Sequence, residues 1–318
     1  MSEITSRLAG LSEAKRSLAK DMMGQTAAAQ PGRDLTPELY QGTIVPLQPK
    51  GTKKPLFVIH ATDGSVSYFQ YLIAHLGLDQ PLFAIQTPGL NDLRTPYRTI
   101  QDQAAHYLDE IRKIDPTGAP KIAGYCMGGL PAFDIAQQLL RRGERIDSVI
   151  HISPIMERDW DYLESEPDLE LRAAHDFVFL ADKLMGIKLP VDFDAMRASK
   201  DRMAYLLEQA IAHDCLPSNL EMEGFQRRVN VYRANLNAMR TYEPTDIRRC
   251  VIRVLLISGR GERAKLDFDS VYTAYLSRVA PEDIEVTRVD ADPVSFINGK
   301  EPDNGVTARA LEHIMTKP

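Results

Sequence analysis

Cys126 sits in the run Lys121-Ile-Ala-Gly-Tyr-Cys-Met-Gly-Gly129, a nucleophilic side chain between glycines in the pattern G-x-C-x-G. The apolar residues before it read as a strand and Leu130–Leu140 after it reads as a helix, so the thiol falls on a sharp strand-to-helix turn. Glycines at 124 and 128 suit such a turn, because a side chain at either place would meet the chain folding back on itself. A thiol held there is open to attack a carbonyl, and the N-terminal end of the helix dipole favours its thiolate. The chemistry this predicts is acyl transfer through a cysteine thioester. Free cysteines are commonly small buried residues without chemistry, but here the strand, the glycines and the helix all occur in order around one of them.

An acyl oxyanion needs donors. The backbone N–H of Met127 is one, and the loop His60-Ala-Thr-Asp-Gly-Ser65, which follows an apolar strand, is placed to supply a second from Ala61. His60 reads as a structural histidine of that loop, and Cys215 and Cys250 as inert thiols. Three scattered cysteines make neither a disulfide framework nor a zinc site.

The elements that must hold these residues alternate. Strands are predicted at Leu56–His60, Pro81–Gln86, Lys121–Gly124, Ser148–Ile152, Val251–Ser258 and Glu285–Val289. Helices are predicted at Tyr68–Leu76, Ile100–Ile114, Gly128–Arg142, Phe268–Val279 and Val306–Met315. Apolar strands alternating with helices signal an α/β fold, a mostly parallel sheet covered on both faces. The alternation breaks from Trp160 to Met239, where the chain is charged and helical in period. The expected organisation is an N-terminal helix and linker over residues 1–43, a core over 44–159 and 240–318, and a helical lid inserted at 160–239.

A length of 318 residues is enough for a full core, and no apolar run reaches the roughly 18 residues of a membrane helix. The first residues mix both charge signs and lack the apolar stretch of a secretory signal, so a cytoplasmic location is expected. A net charge of −6 offers no basic footprint for nucleic acid or an anionic membrane.

Several motifs in order resemble the thioesterase domains of nonribosomal peptide and polyketide synthases. They are Ile44-Val-Pro-Leu-Gln-Pro49, Pro55-Leu-Phe-Val-Ile-His60, Gly64-Ser-Val-Ser-Tyr68, Gln80-Pro-Leu-Phe-Ala-Ile-Gln-Thr-Pro-Gly89, Tyr107, Gly124-Tyr-Cys-Met-Gly-Gly129, Ala234-Asn-Leu-Asn-Ala238 and Tyr242-Glu-Pro244. The resemblance implies an α/β-hydrolase fold, a lid over an acyl chamber, no cofactor of its own, and substrates carried on the phosphopantetheine arm of acyl or peptidyl carrier proteins.

Three positions depart from the family. Where it has Ser, Asp and His, this chain has Cys126, Ser153 and Pro293, and no histidine occurs between His213 and His313. Glu262 stands where some relatives carry their acid, but it has no histidine to orient. His151 shares strand parity with Ser153 about 6.6 Å further down the strand and reads as packed. The lid histidines His175 and His213 read as solvated. Without a histidine base, water is poorly activated, whereas exchange between thiols needs no strong base. The sequence therefore points to an acyltransferase that takes an acyl or aminoacyl group onto Cys126 and passes it on, similar to the aminoacyl shuttles of nonribosomal assembly lines. A product-releasing hydrolase or cyclase and a non-catalytic carrier-binding fold are the alternatives.

Overall fold

The computed structural model describes residues 42–116, 118–152, 168–180, 188–213, 221–244, 250–257, 284–291 and 302–316. Its strands are β1 (Ile44–Gln48), β2 (Leu56–Ile59), β3 (Leu82–Ile85), β4 (Lys121–Tyr125), β5 (Ser148–Ile152), β6 (Ile252–Ile257) and β7 (Ile284–Val289). Its α-helices are α1 (Gln70–Leu76), α2 (Ile100–Ile114), α3 (Gly129–Arg141), α4 (Leu169–Leu180), α5 (Phe193–Ala198), α6 (Arg202–Ala212), α7 (Met222–Arg240) and α8 (Asp303–Thr316).

These strands make one seven-stranded sheet in the order β1-β3-β2-β4-β5-β6-β7. Every neighbouring pair is parallel except β1 with β3. The central strands β2, β5 and β6 are buried along their whole length, and β4 at every residue but Lys121, because both faces are covered. Successive residues alternate between the two layers: Leu56 and Val58 pack with Leu72 of α1 and Leu311 of α8. Phe57 and Ile59 pack with Tyr107 of α2 and Ile135 of α3 on the other face.

Six strands were expected and seven are present among the described residues. The addition, β1, is a five-residue edge strand with Pro46 where its register with β3 shifts, and an edge or a bulge tolerates a residue lacking an N–H. Helix α8 starts three residues earlier than expected. The expected helix at Phe268–Val279 and the N-terminal helix and linker lie outside the described residues, apart from Gly42 and Thr43.

Between β5 and β6 the described residues form α4 to α7 and contain no strand. Leu171, Met196, Leu206 and Phe225, one from each of these helices, share an apolar cluster of their own. A second cluster joins α7 to the core: Leu236 and Met239 pack with Ile100 at the start of α2 and with Met127 and Leu130 beside Cys126.

Candidate active site

The strand registers bring the site together. Ile59 of β2 pairs with Gly124 of β4, so the loop leaving β2 lies beside the turn leaving β4. Gly124 in turn pairs with His151 of β5. Residues 60–65, Cys126 and His151 thus meet at the carboxyl ends of three central strands.

The turn has the predicted form. Tyr125 is still extended, with φ −95°, and Cys126 then adopts φ 55°, the left-handed region that costs a non-glycine residue about 1–2 kcal/mol. A tight helical turn over Cys126–Gly128 leads directly into α3. A Cβ on Gly124 would lie 2.0 Å from the Gly128 carbonyl oxygen, and one on Gly128 would lie 2.3 Å from that of His60. Both positions therefore require glycine. Cys126 is a thiol and partly exposed, whereas Met127, which follows it, is only 1% exposed.

Gly129 is glycine for a different reason: a Cβ there would fall 2.0 Å from Cδ2 of His151. The His151 ring lies beneath the elbow, and its Nε2–H donates to the Cys126 carbonyl oxygen at 2.7 Å. Burial lowers its pKa to about 4, against the opposing pull of that hydrogen bond, so the ring is neutral at physiological pH.

On the facing loop, Thr62 Oγ1 stands 4.0 Å from Cys126 Sγ. The Ala61 N–H, expected as an oxyanion donor, is donated to the Tyr68 hydroxyl at 2.7 Å. Tyr68 is 5% exposed, and its ring meets that of Tyr125 edge-on at 5.6 Å. Cys126 and Ala61 pack against the same apolar cluster as these two tyrosines. Burial, with the neighbouring Asp63 charge adding to it, raises the Tyr68 hydroxyl well above its ordinary range, so it keeps its proton. Asp63 is exposed, and desolvation by the surrounding protein pushes its carboxyl up to about 6 despite the Ser65 N–H and Arg228.

A buried polar network fixes this loop. His60 donates from Nδ1 to the Ala61 carbonyl at 2.6 Å, and its Nε2, with a single lone pair, lies 2.6 and 2.7 Å from the hydroxyls of Tyr107 and Thr87 and accepts from one of them at a time. Burial lowers the His60 pKa to about 4, which keeps the ring neutral. Asn235 of α7 donates to the Thr62 carbonyl at 3.0 Å and to Thr87 at 3.2 Å, and its own oxygen accepts from Gln103 of α2 at 3.0 Å. His60 is structural, as its place in the loop implies, while Tyr68, Tyr107 and Asn235 lie in the family motifs and only the fold brings out their parts in this network.

The remaining candidates lie elsewhere. His175 stacks on Phe193 at 3.6 Å between ring centroids, and His213 contacts the Gln209 carbonyl of its own helix at 2.9 Å. Cys250 is buried and receives a contact from Gln137 at 3.5 Å. Ser153, Cys215, Glu262 and Pro293 fall outside the described residues. No helix among the described residues is long and apolar enough to cross a membrane, and among them no group of three or more His, Cys, Asp or Glu residues could hold a metal ion.

The family model described as Thioesterase domain matches residues 54–298. The chain is 30% identical over 220 residues to the nonribosomal peptide synthetase btyA of Aspergillus terreus, covering 65% of this chain and 22% of that protein. It is 35% identical over 111 residues to the indigoidine synthase of Dickeya dadantii, covering 35% of this chain and 8% of that one. The chain thus spans less than a quarter of the curated relatives it matches. Among solved structures, a four-domain nonribosomal peptide synthetase bound to AMP and glycine superposes with a TM-score of 0.71 at 23% identity, over 87% of this chain and 20% of that one. The Vlm2 thioesterase domain bound with a dodecadepsipeptide gives 0.59 at 19% identity, over 87% of this chain and 100% of that one. At these identities the structural likeness carries the fold, a mostly parallel α/β-hydrolase sheet.

Proposed function

Because the chain belongs to the Thioesterase domain family, we propose that it moves acyl groups held as thioesters on carrier proteins, with Cys126 as the nucleophile. The Cys126 thiolate attacks the thioester carbonyl, a new C–S bond forms, and the tetrahedral intermediate expels the carrier thiolate, which takes up a proton. A second thiolate then attacks the Cys126 thioester and regenerates the enzyme thiolate. The acceptor we assign is another carrier arm. The protein needs no cofactor of its own, since the phosphopantetheine arm belongs to the partner.

The carrying observation is the elbow: a partly exposed thiol at φ 55° on the first residue of a helical turn that continues into α3. Met127 N–H is the proposed oxyanion donor on the helix side. On the β2 side the Ala61 N–H is already given to the Tyr68 hydroxyl, so we propose that Tyr68, still protonated, extends this donor toward the oxyanion.

Transfer is favoured over hydrolysis by the chemistry of His151. That ring touches the elbow but commits Nε2–H to a backbone carbonyl, and a pKa near 4 makes it a weak base for activating water. Product release is the second reading, favoured by the likeness to a thioesterase domain that holds a depsipeptide.

Intact-protein mass spectrometry tests the proposal. Incubation with a loaded donor carrier should add the acyl mass to the wild type and not to Cys126→Ala, and the mass should leave when a free acceptor carrier is supplied. Rapid appearance of free acid without an acceptor overturns transfer in favour of release. Failure to acquire the mass overturns the nucleophile.

A further inference from the structure

Thr62 turns its hydroxyl toward the nucleophile. The Oγ1 atom lies 4.0 Å from Cys126 Sγ, and among the described residues that sulfur is its only hydrogen-bond partner. Thr62 is 8% exposed, so the hydroxyl has little water to turn to instead. A β-branched side chain is also stiff at χ1, which keeps the hydroxyl aimed where the backbone sets it.

That backbone is held from one side of α7. Arg228, Val231 and Asn235 follow one another at three- and four-residue spacing, so they share a face of the helix. Asn235, fully buried, donates to the Thr62 carbonyl at 3.0 Å, and its own oxygen is fixed by Gln103 at 3.0 Å. The charge of Arg228 acts on the Asp63 carboxylate. A Cβ on Gly64 would lie 2.6 Å from Val231 Cγ1, so the helix and the loop are in close contact there too. Three consecutive loop residues are thus set by one helix face, and a polar side chain lining the site by chance would not need that support.

A thiol is a weak donor to a hydroxyl, whereas a thiolate is a strong acceptor from one, so the 4.0 Å contact tightens when the sulfur ionises. Among the site's titratable groups, Tyr68 keeps its proton, His151 is neutral and Asp63 is an anion above about pH 6; none of the three supplies positive charge to a thiolate. We infer that Thr62 is a further catalytic residue, its hydroxyl donating to Cys126 Sγ whenever negative charge rests on that sulfur, with Asn235 as its positioning residue. The Cys126 proton leaves to solvent and Thr62 keeps its own. A thiolate electron pair then forms the C–S bond, and the charge passes to the carbonyl oxygen and on to the departing carrier sulfur. On the return step the acceptor thiolate forms its C–S bond, the Cys126 C–S bond breaks, and the electron pair comes back to Sγ, where the hydroxyl again donates to it. The inference rests on the proposed function for its use in transfer, while the bond to the thiolate does not.

The test follows alkylation of Cys126 by iodoacetamide in the full chain from about pH 5 to about pH 10, read by peptide mass mapping so that Cys215 and Cys250 do not contribute. Thr62→Val keeps the shape and removes the hydroxyl, and it should raise the Cys126 pKa by about one unit. Thr62→Ser should restore the wild-type value. Because a more basic thiolate is intrinsically more nucleophilic, the rate at the high-pH plateau should rise roughly threefold in Thr62→Val even as the rate near neutrality falls. Thr62→Ala, which also lacks the hydroxyl, takes the place of Thr62→Val if that variant melts far below the wild type. Equal pKa values in the wild type and the hydroxyl-free variants overturn the inference. So does a plateau that changes without a shift in pKa, which would mean control of access alone, and so does a shift that Thr62→Ser fails to recover, which would mean packing. In transfer, acceptor-driven loss of the acyl group from Cys126 should slow several-fold in Thr62→Val, since a more basic sulfur leaves less readily. If the pKa shifts as expected while Cys126 acquires no acyl mass from a loaded carrier, the proposed function fails and the hydrogen bond stands; if the mass is acquired and the pKa does not move, the reverse holds.

Discussion

His151 supports Cys126 from below, giving Nε2–H to the carbonyl oxygen of the residue that bears the thiol at 2.7 Å. Removing the donor takes one of the hydrogen bonds from that carbonyl, which keeps the Gly129 N–H, at a strained backbone position. His151→Leu should therefore lower the unfolding free energy by about 0.5–1.5 kcal/mol in urea titrations. It should also slow acylation of Cys126. His151→Gln retains an amide donor and should recover part of both losses; equal behaviour of the two variants would show that the hydrogen bond contributes nothing.

Two buried histidines make the fold sensitive to acid. His60 and His151 have pKa values lowered by burial to about 4 from an ordinary 6.5, so in this range the unfolded chain binds more protons than the native one. Stability is then complete above about pH 6.5, falls as the pH drops toward 4 and changes no further below that. The full effect is on the order of 3 kcal/mol per histidine. Asp63 acts with the opposite sign, since its raised carboxyl loses stability as the pH climbs through about 6. Its exposure to solvent makes that share smaller. Urea titrations between pH 7.5 and 4 should show the net loss toward acid, and His60→Gln should remove roughly one proton from the uptake on unfolding. A flat profile would contradict the buried neutral state of both rings.

The sheet was legible because buried parallel strands are written as continuous apolar runs. Leu56–Ile59 and Ser148–Ile152 fall within one residue of expectation. The exception, β1, is short, alternates in burial and contains a proline, so its pattern is that of an edge and not of a core. The elbow was legible too, since its steric demand falls on residues two apart from Cys126. What could not be read is what fills the space around it. The bond from Asn235 to Thr62 spans 173 residues, and no local pattern encodes it. Position alone points to the Ala61 N–H, but Tyr68, seven residues on, takes that N–H because the turn into α1 swings its hydroxyl back over the loop.

Strain at the nucleophile separates two variants that both lack a thiol. Cys126 holds φ 55°, where glycine is at ease and alanine is not. Cys126→Gly should be about 1 kcal/mol more stable than Cys126→Ala, seen as a rise of a few degrees in Tm. Neither should acquire an acyl group. Equal melting points would mean that the backbone relaxes once the sulfur is gone.

Tyr68→Phe tests the oxyanion assignment. The substitution keeps the ring against Tyr125 and removes only the hydroxyl, so stability should change by no more than about 1.5 kcal/mol. The rate of Cys126 acylation should fall roughly 10²-fold, the scale of losing one oxyanion donor. An unchanged rate would leave Tyr68 a structural prop. A faster rate would mean that its hydroxyl plugs a donor that Ala61 otherwise supplies.

The tight fit between Gly129 and His151 can be measured as a coupling. A methyl group on residue 129 would sit 2.0 Å from the imidazole Cδ2, nearer than any real contact, and the ring cannot withdraw without breaking its bond to the Cys126 carbonyl. Gly129→Ala alone should therefore be strongly destabilising, at about 3 kcal/mol or more. In a His151→Ala background the space is open, so the same change should cost much less. The double variant should then be more stable than the sum of the two single losses predicts, by an interaction energy of about 1–3 kcal/mol. Strict additivity in the four-variant cycle would show that the ring does not lie against residue 129 in solution, and the account of how the elbow is braced would go with it.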